Sequence, residues 1–517
     1  MLTAPNQKAR TYWPVIILLV AIKLLLPVLL QHEMYELQRD EYLYYQQGQH
    51  LSAGFLENPP LIALLGTITA WMGGAEWMLK LWPLIFGALT VILTCLIAAE
   101  FGGNRFAQFL AGFGMLTGAY MRMHYLFQPN FLDIFSWTLA LYFLLRYINT
   151  KQNYFLYLLA IAIAIGWYSK YSILFLAVAM AVSILLTRHR KIITNKHLYF
   201  SLLILLLLIV PNIYWQYTHN WPLFHHMEEL QSTQLKFLSP LDFIKDQFLY
   251  LLPVVFIWIA GLFWVFKTKP YAVFGWTYIW VIILLLAGSG KSYYAMGIYP
   301  MLLAAGGVAI ERFSLRYTWL RIAIPVIVVL LTLPFIPMLL PLWEPPKLAA
   351  FYQKHEVEKT GLLKWEDQEN HALPQDFADM IGWKELTQKT ESFFQTLPDS
   401  IKENTIVFAD SYGQAGSLKF YGKDAKFRAK VFSDNGSNLL WIPDDFNFKH
   451  IIVIDRSKPG ADDEVFNHFE KSFFVDSVIN QYSRQLGDKI FFYQGANPET
   501  SKMASIALQQ MKKKFSR

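Results

Sequence analysis

An acidic pair opens the stretch DEYLYYQQGQHLSAGFLENPPL (40–61). If residues 40–52 are helical, Asp40, Tyr44 and Gln47 share one face, and Glu41 and Tyr45 share the next. A carboxylate beside an apolar surface binds its proton more tightly and can act as a general base. Complementing a helix dipole would explain one of the two acids, but not both. Asp133, in QPNFLDIFSW, lies at the outer end of an apolar run. Acids in such places are costly and are suspected of function, the plainer readings being an interfacial cap or a partner for a lysine. Lys170 in GWYSKYS reads either as a snorkelling lysine or as a phosphate contact. In GSGKSYYAMGIYP a small, pliant turn presents Lys291, Tyr293 and Tyr294. A cation with phenol donors suits a phosphate. The spacing is not that of a nucleotide-binding P-loop. Arg122 and His124 in MRMHYLFQPN add positive potential on the same side. His225 and His226, with Glu228 and Glu229 nearby and Glu57 in the first loop, could hold a zinc or manganese ion, or simply form a polar outer loop. Lys23, midway along the first apolar run, reads as a group packed on a buried acid or carbonyl.

The elements that must position these residues are membrane helices. The 517 residues are 55% hydrophobic and only 16% charged, with 16% aromatics including 17 Trp. A soluble domain carries about 25% charged residues, and aromatics gather at membrane interfaces. The net charge of +7 is modest and gives no reason to expect a nucleic-acid partner. A single cysteine, Cys95, rules out an internal disulfide. Lys8 and Arg10 precede an apolar run with no small-residue cleavage site, so this run reads as an uncleaved first helix. Apolar runs of spanning type number about eleven: 13–31, 79–99, 106–123, 131–149, 154–169, 171–187, 198–217, 247–266, 272–288, 294–310 and 319–341. Basic residues fill alternate connections, which by the positive-inside rule places the N-terminus in the cytoplasm and residues beyond 342 outside. PPLIALLGTITAWMGG (59–74) is too short to span and should lie in the interface or re-enter.

After the Pro-rich hinge LWEPPK (342–347) the composition turns polar. TIVFAD (405–410), HIIVIDR (450–456) and KIFFYQG (489–495) read as buried strands, 376–394 and 461–473 as amphipathic helices, and SYGQAGSLKFYG (411–422) as a strand-to-helix turn and short helix. The expected organisation is a polytopic α-helical membrane domain (1–341) followed by an exported α/β domain (342–517). The basic tail MKKKFSR (511–517) reads as a solvated end.

The first-loop motif, QPNFLDIFSW, SKYS and GKSYYAMGIYPMLLAAGG, in this order over most of residues 1–310, resemble the GT-C superfamily of polyprenyl-phosphate-sugar-dependent glycosyltransferases. The likeness is to the bacterial branch related to protein O-mannosyltransferases and the lipid A aminoarabinose transferase. It implies a GT-C fold in the bacterial inner membrane, a polyprenyl-phosphate-linked sugar donor taken from the outer leaflet, and an envelope acceptor that is a lipid, glycan or protein. Asp40 matches the acidic residue that acts as base or positions the acceptor, Glu41 the neighbouring acid of the mannosyltransferases, and Tyr44 the tyrosine that follows. Lys291, Tyr293 and Tyr294 fall where donor-phosphate contacts belong, with Lys170 and Arg122 as further cations and Asp133 as an acceptor-side or structural acid. In the aminoarabinose transferase an acid before the loop proline and a later histidine bind a metal; Glu57 matches the first, and His225 or His226 the second. A divalent metal ion is the one cofactor this suggests. The sequence departs from the aminoarabinose transferase at Leu43, where an arginine is usual, and at Asn58, where a lysine is usual. Both changes remove positive charge near the phosphate and speak against carrying over its sugar. The implied reaction is inverting transfer with Asp40 as base. A flippase of lipid-linked sugars would place its charges near mid-membrane and duplicate its hydropathy pattern, and a third alternative is an envelope assembly factor.

Overall fold

A computed structural model describes residues 9–233, 239–456, 466 and 468–516. Among these, six helices are long and apolar enough to cross a membrane. They include α1 (Trp13–Leu30). The first outer loop follows as α2 (Arg39–Gln49) and α3 (Leu61–Trp71). Next come α4 (Glu76–Glu100), the broken pair α5 (Arg105–Gly114) and α6 (Tyr120–Met123), and α7 (Pro129–Thr150). The short apolar α8 (Tyr154–Ser169) and α9 (Ile173–Leu186) precede the long α10 (Lys196–Thr218). Then follow α11 (Pro222–Thr233), α12 (Pro240–Leu249), α13 (Val255–Lys267), α14 (Ala272–Ala287), α15 (Tyr299–Ser314) and α16 (Leu320–Thr332). Two bent pairs, α9 with Arg188–Thr194 and α12 with Leu252–Lys267, turn by 107° and 65° and bring the number of spans to eight if each pair counts as one.

The expected spans at 106–123, 154–169, 171–187 and 294–310 are thus shorter or interrupted helices. The interruption after α5 has a clear cause. Gly118 adopts φ +59°, and a Cβ there would stand 2.3 Å from the carbonyl oxygen of Tyr250. The carbonyls of Met115 and Tyr120, on either side of the break, each accept a 3.0 Å hydrogen bond from Lys23 Nζ. The mid-membrane lysine therefore satisfies backbone that a regular helix would have satisfied itself.

The first outer loop is built on a close approach. A Cβ on Gly48 would lie 2.5 Å from the backbone of Gly66, and Thr67 Oγ1 donates to the Gly48 carbonyl at 2.6 Å. The interfacial helix expected at 59–74 appears as α3, only 11 residues long and packed on α2.

Beyond residue 342 lies a five-stranded sheet in the order β2-β1-β3-β5-β4. Its strands are β1 (Thr405–Ala409), β2 (Val431–Phe432), β3 (His450–Asp455), β4 (Phe469–Ser477) and β5 (Lys489–Ala496). β1 runs parallel to β2 and β3, while β5 is antiparallel to β3 and β4. The three strands expected from sequence are β1, β3 and β5. The helix expected at 376–394 is split by Gly382 (φ +94°) into Gln375–Ala378 and Trp383–Thr396. Of the helix expected at 461–473, residues 461–465 and 467 lie outside the described residues, and 469–473 belong to β4. This edge strand leaves Phe473 and Phe474 about half exposed, on opposite faces.

The composition changes near residue 342, but the core does not stop there. One apolar cluster joins Leu37, Tyr42 and Ile62 of the first loop to Trp383, Leu418 and Val407 of the sheet layer. Tyr42 sits edge-on to Trp383, Phe420 and Tyr421 at ring-centroid distances of 5.5, 5.9 and 5.9 Å.

Candidate active site

A capping box starts α2. Gln38 Oε1 accepts from the Asp40 N–H, and Glu41 Oε2 accepts from the Gln38 N–H at 2.7 Å. This fixes the direction of two adjacent carboxylates, and they diverge. Glu41 is fully buried and accepts from Lys80 Nζ at 2.6 and 2.7 Å and from the Phe127 N–H at 2.7 Å. Asp40 is about a quarter exposed. Its Oδ1 accepts from the Tyr412 hydroxyl at 2.7 Å and from Arg39 Nε at 3.4 Å, and its Oδ2 accepts from Gln128 Nε2 at 3.2 Å.

Asp40 faces a cavity of about 1240 Å³ at one end of the helix bundle. Tyr44, Glu57, Arg122, Lys170, Lys291, Tyr293, Tyr294 and His226 stand on the same wall. The rest of the wall is largely apolar, with Phe175, Leu230 and Leu339 among its side chains. Glu41, Asp133 and His225 are not on it. Glu41, paired with Asp40 as catalytic from the sequence, is committed instead to the α2 start, α4 and the segment before α7. Asp133 is buried in α7 and accepts from Ser172 Oγ at 2.8 Å, and its charge acts on Lys170 in the turn after α8.

Lys170 Nζ donates to Asn130 Oδ1 at 2.8 Å and lies over the rings of Tyr294 and Tyr293 at 4.1 and 4.9 Å. Burial pushes its pKa down to about 8, against the pull of Asp133. Burial also lowers Lys291, opposed by Glu366, Asp40 and Asp376. Burial raises the Tyr44 phenol far above its usual range, so it stays a neutral hydrogen-bond donor. Arg122 is more engaged than the sequence suggests: its guanidinium pairs with Asp376 and lies 5.2 Å above the Phe377 ring.

The residues expected to hold a metal are only partly brought together. Both Glu57 carboxylate oxygens are occupied: Oε1 accepts from the Ser437 N–H at 2.6 Å and Oε2 from Ser437 Oγ and from Gln47 Nε2 at 3.1 Å. Burial raises its pKa, opposed by these Ser437 contacts. His226 Nδ1 faces Glu229 at 4.0 Å, and the His225 ring meets Phe515 edge-on at 5.9 Å. Among the described residues, the three-residue group whose ligand atoms converge is Asp367, Glu369 and His371, on an exposed loop. Glu57 and His226 share the cavity wall, and His225 does not line it.

Sequence reasoning missed the layer that closes the cavity. Tyr412, Glu366 and Asp376 all come from beyond residue 342 and line it. Arg39 reaches Glu366 at 3.9 Å, and Glu366 is held by Arg484 at 2.7 Å. The local signal for Tyr412 was present in SYGQ, whose Ser411 and Gln414 form a capping box at the start of the helix Tyr412–Tyr421. No local signal links that helix to Asp40.

In fold, the chain is similar to ArnT from Cupriavidus metallidurans bound to undecaprenyl phosphate. The TM-score is 0.62 at 15% identity, over 94% of this chain and 98% of that one. The chain resembles the GT-C glycosyltransferases. The apo state of the same ArnT aligns with TM-score 0.60 at 14% identity, over 93% and 98%. The family model described as dolichyl-phosphate-mannose-protein mannosyltransferase matches residues 57–215, which run from Glu57 to the end of α10 and include Arg122, Asp133 and Lys170. No curated protein matches the sequence. The GT-C likeness extends through the sheet layer, because nearly the whole chain aligns. The apolar helices of this GT-C-like chain make it a multi-pass membrane protein.

Proposed function

We propose that this chain is an inverting glycosyltransferase that moves a sugar from a polyprenyl-phosphate donor to a hydroxyl of an envelope acceptor. The observation that carries this reading is the cavity. It gathers the hydrogen-bonded Asp40, the lysines Lys170 and Lys291, and the tyrosines Tyr44, Tyr293 and Tyr294 at one end of an apolar bundle, beside a largely apolar wall suited to an isoprenoid tail. The structural relative ArnT holds undecaprenyl phosphate, and this supports a donor of that class here.

Asp40 takes the proton from the acceptor hydroxyl. The acceptor oxygen bonds to the anomeric carbon as the bond from that carbon to the phosphate oxygen breaks, and polyprenyl phosphate leaves with the negative charge. Lys170, Lys291 and the Tyr293 and Tyr294 hydroxyls meet that charge as it develops; such preorganised donors count most where water is excluded. The Tyr412 hydroxyl, Gln128 and Arg39 hold Asp40 in place. Arg122 acts through Asp376, which ties it to the sheet layer. Glu57 serves as the anchor of the loop to Ser437.

The reading places the chain in a bacterial plasma membrane, with about eleven crossings or re-entrant segments, a cytoplasmic N-terminus, and residues 342–517 as an extracytoplasmic layer that covers the cavity. The test is release of free polyprenyl phosphate by purified protein in lipid, supplied with a panel of polyprenyl-phosphate sugars and envelope extract. Release by wild type and not by Asp40→Asn is the expected outcome. No release from any donor, with movement of labelled donor between leaflets instead, would replace the transferase by a transporter.

A further inference from the structure

At the end of the bundle remote from the cavity, a second hollow of about 720 Å³ lies between α1, the 102–109 segment, the end of α15 and the start of α16. Three arginines line it, Arg105, Arg312 and Arg321. They are not matched by acid. The one carboxylate on the wall, Glu311, is used up by backbone: Oε2 accepts from the Asn104 N–H at 2.7 Å, and Oε1 from the Phe106 and Ala107 N–H groups at 3.0 Å each. No ion pair joins any of the three arginines to a carboxylate among the described residues. Two of them are held in place. Arg321 Nε donates to Ser314 Oγ at 3.1 Å, and its guanidinium lies 5.6 Å from the Phe106 ring centroid. Arg312 lies 5.4 Å over Trp264. The remaining wall is apolar and continues into bilayer-facing side chains: Leu18 is 56% and Leu315 68% exposed.

Scattered arginines at a cytoplasmic membrane boundary need no ligand, since topology alone favours them. Three arginines around one hollow with a single carboxylate, itself bonded to backbone N–H groups, leave a net positive charge there. Guanidinium groups bind phosphate oxygens through paired N–H donors. A free anion would use only the cationic rim, whereas the hollow joins that rim to lipid-facing apolar surface, as an amphiphile requires. We propose that this hollow binds the phosphate headgroup of an anionic phospholipid in the leaflet opposite the catalytic cavity, with the acyl chains lying along α1 and α16.

The test uses the full chain reconstituted with equal amounts of phosphatidylglycerol and phosphatidylcholine, re-extracted in mild detergent, and its retained lipid counted by mass spectrometry. Wild type should retain phosphatidylglycerol selectively. The double variant Arg312→Gln/Arg321→Gln should lose about 30-fold in that preference, the effect of two basic contacts at a charged surface. Arg316→Gln, which removes a neighbouring arginine that does not line the hollow, should change nothing. If the double variant does not fold, Arg105→Gln alone, at an exposed position, should cost about fivefold. Equal loss in Arg316→Gln, or no selectivity in the wild type, would overturn the proposal. Displacement of the lipid by excess inorganic phosphate would overturn it as well, by making the hollow a site for a free anion.

Discussion

Asp40 and Glu41 are neighbours in sequence, and the structure assigns them opposite sensitivities. Converting each to its amide separates them. Glu41→Gln removes the charge that Lys80 needs at 2.6 Å in a pocket where Glu41 has no exposure. It also turns one acceptor oxygen into a donor that faces the N–H groups of Gln38 and Phe127 or the Lys80 ammonium. Breaking a buried ion pair from one side costs about 3–5 kcal/mol, because the remaining charge stays desolvated. Asp40→Asn keeps an oxygen for the Tyr412 hydroxyl at a partly exposed position and leaves no fully buried charge unpaired, so its cost should be smaller. The catalytic effects run the other way. Loss of a general base lowers turnover by about 10²–10⁴-fold, whereas Glu41→Gln should lower activity only in proportion to the folded fraction. The assay is thermal unfolding of both variants in one detergent, alongside turnover per folded molecule. A Glu41→Gln protein that melts with the wild type while losing turnover per folded molecule would refute the reasoning and return Glu41 to the catalytic role expected from the sequence.

Tyr412→Phe keeps the ring and removes one hydrogen bond to a carboxylate, worth about 1.5–3 kcal/mol. Turnover per folded molecule should fall about 10- to 100-fold and the melting temperature should drop with the lost bond, and wild-type turnover would detach the sheet layer from the site. Burial pulls the Lys170 pKa down to about 8, against Asp133. The donor KM should therefore climb as pH rises through that value, and Lys170→Gln should start with a high KM that stays flat over the same range. A Cβ on Gly306 would lie 1.9 Å from the Ile257 carbonyl oxygen, and one on Gly261 2.0 Å from that of Leu302. Gly306→Ala should thus force α13 and α15 apart at a cost of about 1–3 kcal/mol or more, seen as a lowered melting temperature.

Much of this architecture was readable because membrane physics writes it into the sequence. Long apolar runs gave α1, α4, α7, α10, α14 and α16, and clustered Lys–Tyr–Tyr and Asp–Tyr spacings picked out side chains that do converge on one cavity. The errors share a cause: each depended on contacts distant in sequence. Hydropathy does not register the close contact at Gly118 that breaks α5 from α6. Nothing near Glu41 announces Lys80, nothing near Glu57 announces Ser437, and nothing near Arg122 announces Asp376. A carboxylate looks equally available for metal, for catalysis or for a salt bridge until its partners are known. The boundary drawn at 342 marks a real change in composition, yet Tyr42 packs across it as tightly as within a single core.

That shared core has a consequence for how the protein is made. Asp40 meets Tyr412 across 372 residues and Glu57 meets Ser437 across 380. A ribosome adds about 5–20 residues each second, so the first loop reaches its side of the membrane tens of seconds before its partners are synthesised. During that interval α2 carries an uncovered Tyr42, the segment after it an unanchored Glu57, and the cavity has no roof. The proposed reactive carboxylate thus gains its Tyr412 partner only from the last third of the chain, so a truncated or stalled product would sit in the bilayer with an open, unassembled cavity.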